Sequence, residues 1–244
     1  AGNLIFPVQL GRAAGVASPA ATIGFLLTAV GLPIAGLVAA ALSGSRSVAD
    51  AVRPVSRRYA VLFTVLLYLT IGPAFAIPRT ATVSFEVGVR PLLPAGSERL
   101  GLLVFTVVFF GITGIVAMRP AKLLDSIGRY PTPAFLVLLA ALVIAALAMP
   151  MTSELTEPTG PYATSPLTTG LIDGYNTMDA LAGLAFAIVV VEALRGLGVE
   201  EPRRVAGEIA RAGLIGGVGI AVVYVSLVYV GATSVGAVAD ADNG

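Results

Sequence analysis

The sequence predicts an all-α integral membrane fold in which two helices are interrupted. Three observations support that expectation. Hydrophobic residues make up 57% of the chain and charged residues only 12%, and mean hydropathy is +0.92. Soluble domains carry about twice that share of charge and could not hide so much apolar surface from water. Apolar runs recur along the chain, each near the roughly 20 helical residues that a bilayer requires. Finally, the run Ala180 to Val191 is too short to cross, so a span must extend back through Asp173, Gly174, Tyr175, Asn176, Thr177 and Asp179, residues that favour turns and caps.

The elements follow in order. Ala1 to Leu10 reads as a half-span closed by Pro7 and Gly11, and Ala20 to Leu42 as an uncharged span. Ser47 and Asp50 have capping-box spacing, with Val48, Val52 and Val55 on one face. They predict a short interfacial helix, either resting on lipid or moving as a gate. Tyr59 to Ile77 is the next span, with Pro73 and Pro78 near its far end. Beyond it, Thr80, Thr82, Ser84 and Glu86 alternate with Ala81, Val83, Phe85 and Val87, the pattern of a strand. A lone strand in lipid leaves its backbone groups unpaired, so a helical extension is expected instead. There Arg79 and Glu86 share one face two turns apart, and Arg79 either snorkels to the headgroups or acts as a gate. Leu100 to Met118 and Pro133 to Met151 are further spans, and the broken segment covers Leu167 to Leu194. Ala212 to Ser234 closes the set in a helix starting near Pro202, with Arg204 and Glu208 spaced to pair at i,i+4.

Basic residues set the orientation. Arg46, Arg53, Arg57 and Arg58 follow the second helix, Arg119, Lys122 and Arg129 the fourth, and Arg195, Arg203, Arg204 and Arg211 the sixth. The opposite side has Arg12, Arg90 and Arg99, and its longest loop, Thr152 to Pro166, contains Glu154 and Glu157 without a basic residue. Positive loops remain cytoplasmic, so helices two, four and six run inward.

Composition also excludes functions. A chain without Cys has no disulfide, thiolate metal site or thiol nucleophile, and one without His lacks the usual proton relay and metal ligand. No pair of carboxylates stands in a folded cleft, so an enzyme is not expected. The net charge of +1, with basic residues in short clusters, argues against a nucleic-acid partner. The chain opens Ala1-Gly2-Asn3 within an apolar segment, without the basic region of a secretory signal. It reads as a fragment lacking its first half-helix.

A-G-N-L-I-F-P at the start is a break similar to that in the late segment. Paired interrupted segments point to a transporter's binding site, because irregular backbone at membrane depth must line a cavity or be buried in protein. A half-helix starting near Ala180 would offer free N–H groups and a partial positive charge to a substrate carboxylate. Carbonyls freed at Gly2 and Gly174, with oxygens from Asn3 and Thr177, are hard ligands suited to sodium. Leu4, Phe6, Tyr68 or Met178 could line an apolar wall.

These residues also carry a resemblance. A-G-N-L-I-F-P, L-Y-L-T-I-G-P-A-F-A-I-P-R-T-A-T-V-S-F-E, G-Y-N-T-M-D-A-L-A, and A-G-L-I-G-G with Y-V-G-A-T-S resemble, in order, the bacterial branched-chain amino acid carriers. These are cation-coupled symporters of the amino acid–polyamine–organocation superfamily. The resemblance implies two inverted five-helix repeats whose first and sixth helices unwind around substrate and sodium. It implies leucine, isoleucine and valine as substrates, and a bacterial cell membrane as the location. Residues 1–151 would form the first repeat without the start of its first helix, and residues 167–234 the first two helices of the second. A repeat as long as the stretch from Asn3 to Asn176 would run well past Gly244, so about three helices and their ion ligands are expected in a missing C-terminal part. Carried over by position, the site is Gly2, Asn3, Gly174, Tyr175, Thr177, Met178 and Asp179, with Asn3 and Thr177 as sodium ligands and no other cofactor.

Plainer readings stand beside these. Asp179 is either a site residue or the N-cap of the half-helix, and Asn3 either binds an ion or bonds a neighbouring helix. Tyr68 reads as packing, and Gly213, Gly216 and Gly217 as permitting close helix contact. A symporter accounts for both breaks. A membrane subunit of an ATP-driven permease does not explain them, and a membrane scaffold would need a docking domain.

The orientation yields a direct test. With no native Cys, a single Cys at Ser45 should resist an impermeant thiol reagent added outside, and one at Ser153 should react. The reverse pattern would overturn the assignment.

Overall fold

The computed structural model describes residues 2–45, 47–94, 96–118, 131–148 and 155–235. Among them the chain is helical and forms no strand. The predicted cytoplasmic segment 119–130, the end of the expected Pro133–Met151 span at 149–151 and the start of the expected outer loop at 152–154 lie outside the described residues. A 3-10 turn, Gly2–Leu4, leads into α1, Ile5–Ala14, and then come α2, Ser18–Leu26, and α3, Leu32–Leu42. A short α4, Val48–Val52, precedes α5, Arg57–Ile71, α6, Ala76–Gly88, α7, Glu98–Ala117, and α8, Pro131–Ala148. The last three are α9, Pro166–Asn176, α10, Asp179–Gly196, and α11, Pro202–Ser234.

Four helical runs among the described residues are long and apolar enough to cross a membrane: Ile5–Leu42, Arg57–Leu92, Glu98–Ala117 and Pro202–Ser234. The first is a hairpin. Gly15 turns the chain at φ 46°, and Leu4 and Phe6 before it pack on the same cluster as Leu26 and Val30 after it. A straight helix would hold Leu4 and Val30 about 39 Å apart. Between α2 and α3 the chain makes a π-helical turn, Leu27–Gly31, in which the Leu32 N–H reaches the Leu27 carbonyl.

Local signals set several boundaries. Ser47 and Ser56 are extended N-caps that accept the Asp50 and Tyr59 N–H groups at 3.1 and 3.0 Å. The stretch after Pro78 is helix, as its need to satisfy backbone groups requires. The expected Tyr59–Ile77 span is divided at Gly72–Phe75. Pro73 has no N–H to donate to the Leu69 carbonyl, which takes the Ala74 N–H at 2.9 Å instead. Glu208 pairs with Arg211 at 3.2 Å rather than with Arg204; both charges are exposed, and an acid N-terminal to a base suits the helix dipole.

The broken segment is where the structure corrects the sequence. Helix α9 continues through Asp173, Gly174, Tyr175 and Asn176, so the break is only Thr177 and Met178, with Met178 left-handed at φ 63°. The axes of α9 and α10 meet at a bend of 43°. Packing keeps α9 helical where propensity alone suggests a turn. A Cβ at Gly170 would lie 2.0 Å from the Ala21 carbonyl oxygen, and one at Gly174 2.3 Å from that of Phe25. The absent side chains let α9 lie directly on α2. Asp173 does not open the helix; its carboxylate accepts the Tyr162 hydroxyl.

Tyr162 belongs to the loop before α9 and is buried with Leu10, Ala14, Ala21, Phe25, Tyr224 and Val228 in the main core. Burial, then the Asp173 carboxylate, pushes its hydroxyl well above the usual tyrosine range. The loop is tied to the α1–α2 turn by Val16 N–H to Thr156 O at 3.0 Å and Thr159 N–H to Ala13 O at 2.8 Å. The exterior is apolar. Helix α7 buries no residue, and Leu103, Val107, Ile112 and Ile115 are each more than half exposed. Such a surface needs lipid or further protein against it. This is a membrane protein.

The α2–α9 contact predicts a stability difference. Gly174→Ala should lower the unfolding midpoint of the full-length protein in detergent, because overpacking costs about 1–3 kcal/mol. Gly207→Ala meets nothing within 4 Å and should be neutral or stabilising by up to about 1 kcal/mol. Equal midpoints for the two variants would contradict the contact.

Candidate functional site

A helix that ends inside a membrane leaves its last carbonyls and the next helix's first N–H groups without intrahelical partners. At the Thr177–Met178 break the carbonyls are taken by Arg79, from the first turn of α6. Its Nη1 donates to the Asn176 carbonyl at 2.9 Å, and its Nη2 to the Thr177 carbonyl at 3.4 Å and to Asn3 Oδ1 at 3.0 Å. The guanidinium carbon also lies 5.3 Å from the ring centre of Phe6 and 5.7 Å from that of Phe75. Arg79 therefore turns inward to the break and does not snorkel. The bend at Gly72–Phe75 brings it there.

Asn3 joins the cation to an acid. Its Nδ2 donates to Asp179 Oδ1 at 2.7 Å, and the other carboxylate oxygen accepts a long hydrogen bond, 3.4 Å, from the Tyr224 hydroxyl. Tyr224 is fixed edge-on to Phe25, with ring centres 5.2 Å apart. Asp179 is the first residue of α10, and the N-cap position belongs to Met178, which caps nothing with its side chain. The N-cap reading of Asp179 thus does not hold: its carboxylate points across to the leading turn and to α11. The Asp179 N–H instead approaches the Thr177 hydroxyl at 3.4 Å.

The remaining predicted site residues separate. Thr177 is 2% exposed, and its hydroxyl donates to the Gly174 carbonyl at 2.7 Å. Its side chain serves the break internally, and its carbonyl faces Arg79. Gly174 is packed against α2, and Tyr175 is 49% exposed on the outside of α9. Neither joins the cluster. Gly2 begins the turn that carries Asn3. Tyr68 is half exposed and lines neither of the two cavities beside the cluster.

Two separate cavities border these residues. One, of about 650 Å³, has an apolar wall that includes Leu4, Val30, Ile34, Ile220 and Val223, with Asn3, Asp179 and Tyr224 at its polar edge. Gly216 and Gly217 lie in its wall, and a Cβ at Gly217 would come within 3.0 Å of Val30 and Ile34. The other, of about 300 Å³, is lined by Phe6, Gln9, Arg79 and Glu86. Arg79, which the sequence left open between headgroup and gate, and Tyr224 are the residues here that the predicted site did not include. A charge within an apolar span was the available signal for Arg79; Tyr224 gave none.

The Asn3–Asp179 bond should be visible as coupling. In a double-mutant cycle of Asn3→Ala and Asp179→Ala, the two losses of thermal stability should depart from additivity by about 1–2 kcal/mol, as for a charge-assisted bond. Additive losses would mean that the two side chains do not meet.

The profile described as "Branched-chain amino acid transport protein" matches residues 1–244. The chain is 44% identical over 246 residues to the branched-chain amino acid permease BraB of Bacillus subtilis, covering all of this chain and 54% of that protein. It is 42% identical over 244 residues to the branched-chain amino acid transport system 2 carrier protein of Pseudomonas aeruginosa, covering all of this chain and 55% of that one. It is 40% identical over 244 residues to the branched-chain amino acid permease BrnQ of Escherichia coli K12, again covering all of this chain and 55% of the relative. No solved structure matches. The chain spans about half the length of the curated relatives it matches, and those relatives are permeases and carriers rather than enzymes. By the match along its whole length, the chain belongs to the branched-chain amino acid transport protein family.

Proposed function

We propose that this chain is part of a secondary active transporter that imports leucine, isoleucine and valine together with a cation, sodium, across the bacterial cell membrane. One observation carries the reading: a two-residue helix break, with Asp179 and Asn3 at its side, opens on an apolar cavity of about 650 Å³. An amino acid needs an anionic partner for its ammonium, donors for its carboxylate and an apolar wall for its side chain. Asp179 meets the first need, the start of α10 the second, and Leu4, Val30, Ile34, Ile220 and Val223 the third. The wall separates branched from shorter side chains only modestly, since one methylene is worth about 1–3 kcal/mol. In a protein of the relatives' length, further helices would close the open side of the cavity, in an architecture of two inverted repeats.

Asn3 Oδ1 and the carbonyls of Asn176 and Thr177 are the oxygens on which the cation would act; the Thr177 hydroxyl is committed within its own turn. The names of the relatives support the substrate class, and the pairing of a broken helix with a polar leading turn supports coupling.

The test uses the full-length carrier in proteoliposomes. An inward sodium gradient should drive leucine uptake, and Asn3→Ala should raise the sodium concentration for half-maximal uptake. Uptake indifferent to sodium but driven by a proton gradient would refute the choice of ion. Asp179→Asn should weaken leucine binding by about tenfold to a hundredfold, the worth of a charged hydrogen bond. Unchanged leucine affinity would remove Asp179 from the site.

A further inference from the structure

Among the described residues no carboxylate forms a salt bridge with Arg79; Asp179, the acid that feels its charge, is reached only through Asn3. The salt bridges among the described residues join Arg90 to Glu86 and Arg211 to Glu208. Arg79 is surrounded by the neutral oxygens of Asn3, Asn176 and Thr177 and by the faces of Phe6 and Phe75. Carbonyl and amide oxygens converging on one point, flanked by aromatic faces, are the surroundings of a bound cation. The oxygens come from two separate segments, and the guanidinium from a third.

We propose that Arg79 is a tethered cation occupying the carbonyl site of the broken helix, so that a free monovalent cation binds there only when Arg79 withdraws. The proposal rests on the reading of the break as the transport site. It adds that cation binding and the parting of α6 from the break are one event. Two positive charges cannot share three neutral oxygens, because repulsion at such a distance is weakly screened away from water. The side chain has somewhere to go. It already lines the smaller cavity, whose wall includes Glu86, two turns along the same face of α6. Asn3 lines the larger cavity, so the guanidinium bonded to Asn3 stands between the two spaces. Withdrawal toward Glu86 would join them and free Asn3 Oδ1 and both carbonyls together.

The test is direct binding of radiolabelled sodium to the purified full-length carrier, with leucine binding measured in parallel. Arg79→Gln removes the competing charge while keeping a hydrogen-bond donor, and should lower the half-saturating sodium concentration by about tenfold or more. Arg79→Lys keeps a charge and should stay near the parent value. Equal sodium binding in parent and Arg79→Gln, whether tight, weak or absent, would overturn the proposal. Leucine bound in that case leaves the transport reading standing, whereas sodium tightened in Arg79→Gln without any leucine binding overturns that reading alone. If Arg79→Gln does not fold, labelling of a single Cys at Thr82, which lines the smaller cavity, decides the matter: sodium should change its rate in the parent, and an unchanged rate would overturn the proposal.

Discussion

A backbone carbonyl in hydrocarbon has no water to bond, and leaving it bare costs several kcal/mol. The Thr177–Met178 break makes this cost unavoidable unless another segment supplies donors. Arg79 supplies them to the Asn176 and Thr177 carbonyls. The rest of the site depends on that arrangement. The guanidinium comes from the first turn of α6, which follows the Gly72–Phe75 bend and packs beside the leading turn that carries Asn3. With Arg79 in place, Asn3 has a donor for its oxygen, and its amide is left to meet Asp179. Asp179 is thereby drawn away from capping α10 and toward the cavity.

Glycine contacts hold the frame on which this cluster is hung. Gly170 and Gly174 let α9 lie on α2, and Gly11 and Gly231 do the same for α1 and α11, where a Cβ would fall 2.0 Å from Val228 O and 2.1 Å from Val8 O. Close backbone approach replaces the hydrophobic drive that lipid cannot provide between helices. It also fixes the ends of the break: α9 cannot unwind without losing its seat on α2, so the irregular stretch stays short. A narrow break presents few carbonyls, and one guanidinium is enough to cover them.

What was legible in the sequence follows from the range of each interaction. Capping at Ser47, the start of α11 at Pro202 and the helical reading after Pro78 depend on residues a few positions apart or on the rule that lipid forbids a lone strand, and all three are found. A broken late segment was legible from the polar residues between apolar runs. Its width was not, because Asp173 and Gly174 look like turn formers locally, while Tyr162 and the backbone of α2, far off in sequence, keep them helical. Asn3 and Asp179 were both named, but not as partners, since 176 positions separate them. The role of Arg79 was left open between headgroups and gate for the same reason: its partners lie on the leading turn and on the break.

The backbone is open at Thr177 and Met178 and helical on either side of them, and the proposed transport reading has the substrate use that opening. Hydrogen–deuterium exchange of the full-length carrier measures this residue by residue. An open break predicts slow exchange for the Leu171 to Tyr175 amides, which lie inside α9, and faster exchange for those from Asp179 to Leu181 in the first turn of α10, slowing when leucine is added. Uniformly slow exchange from Leu171 to Leu181, unaffected by leucine, would contradict it.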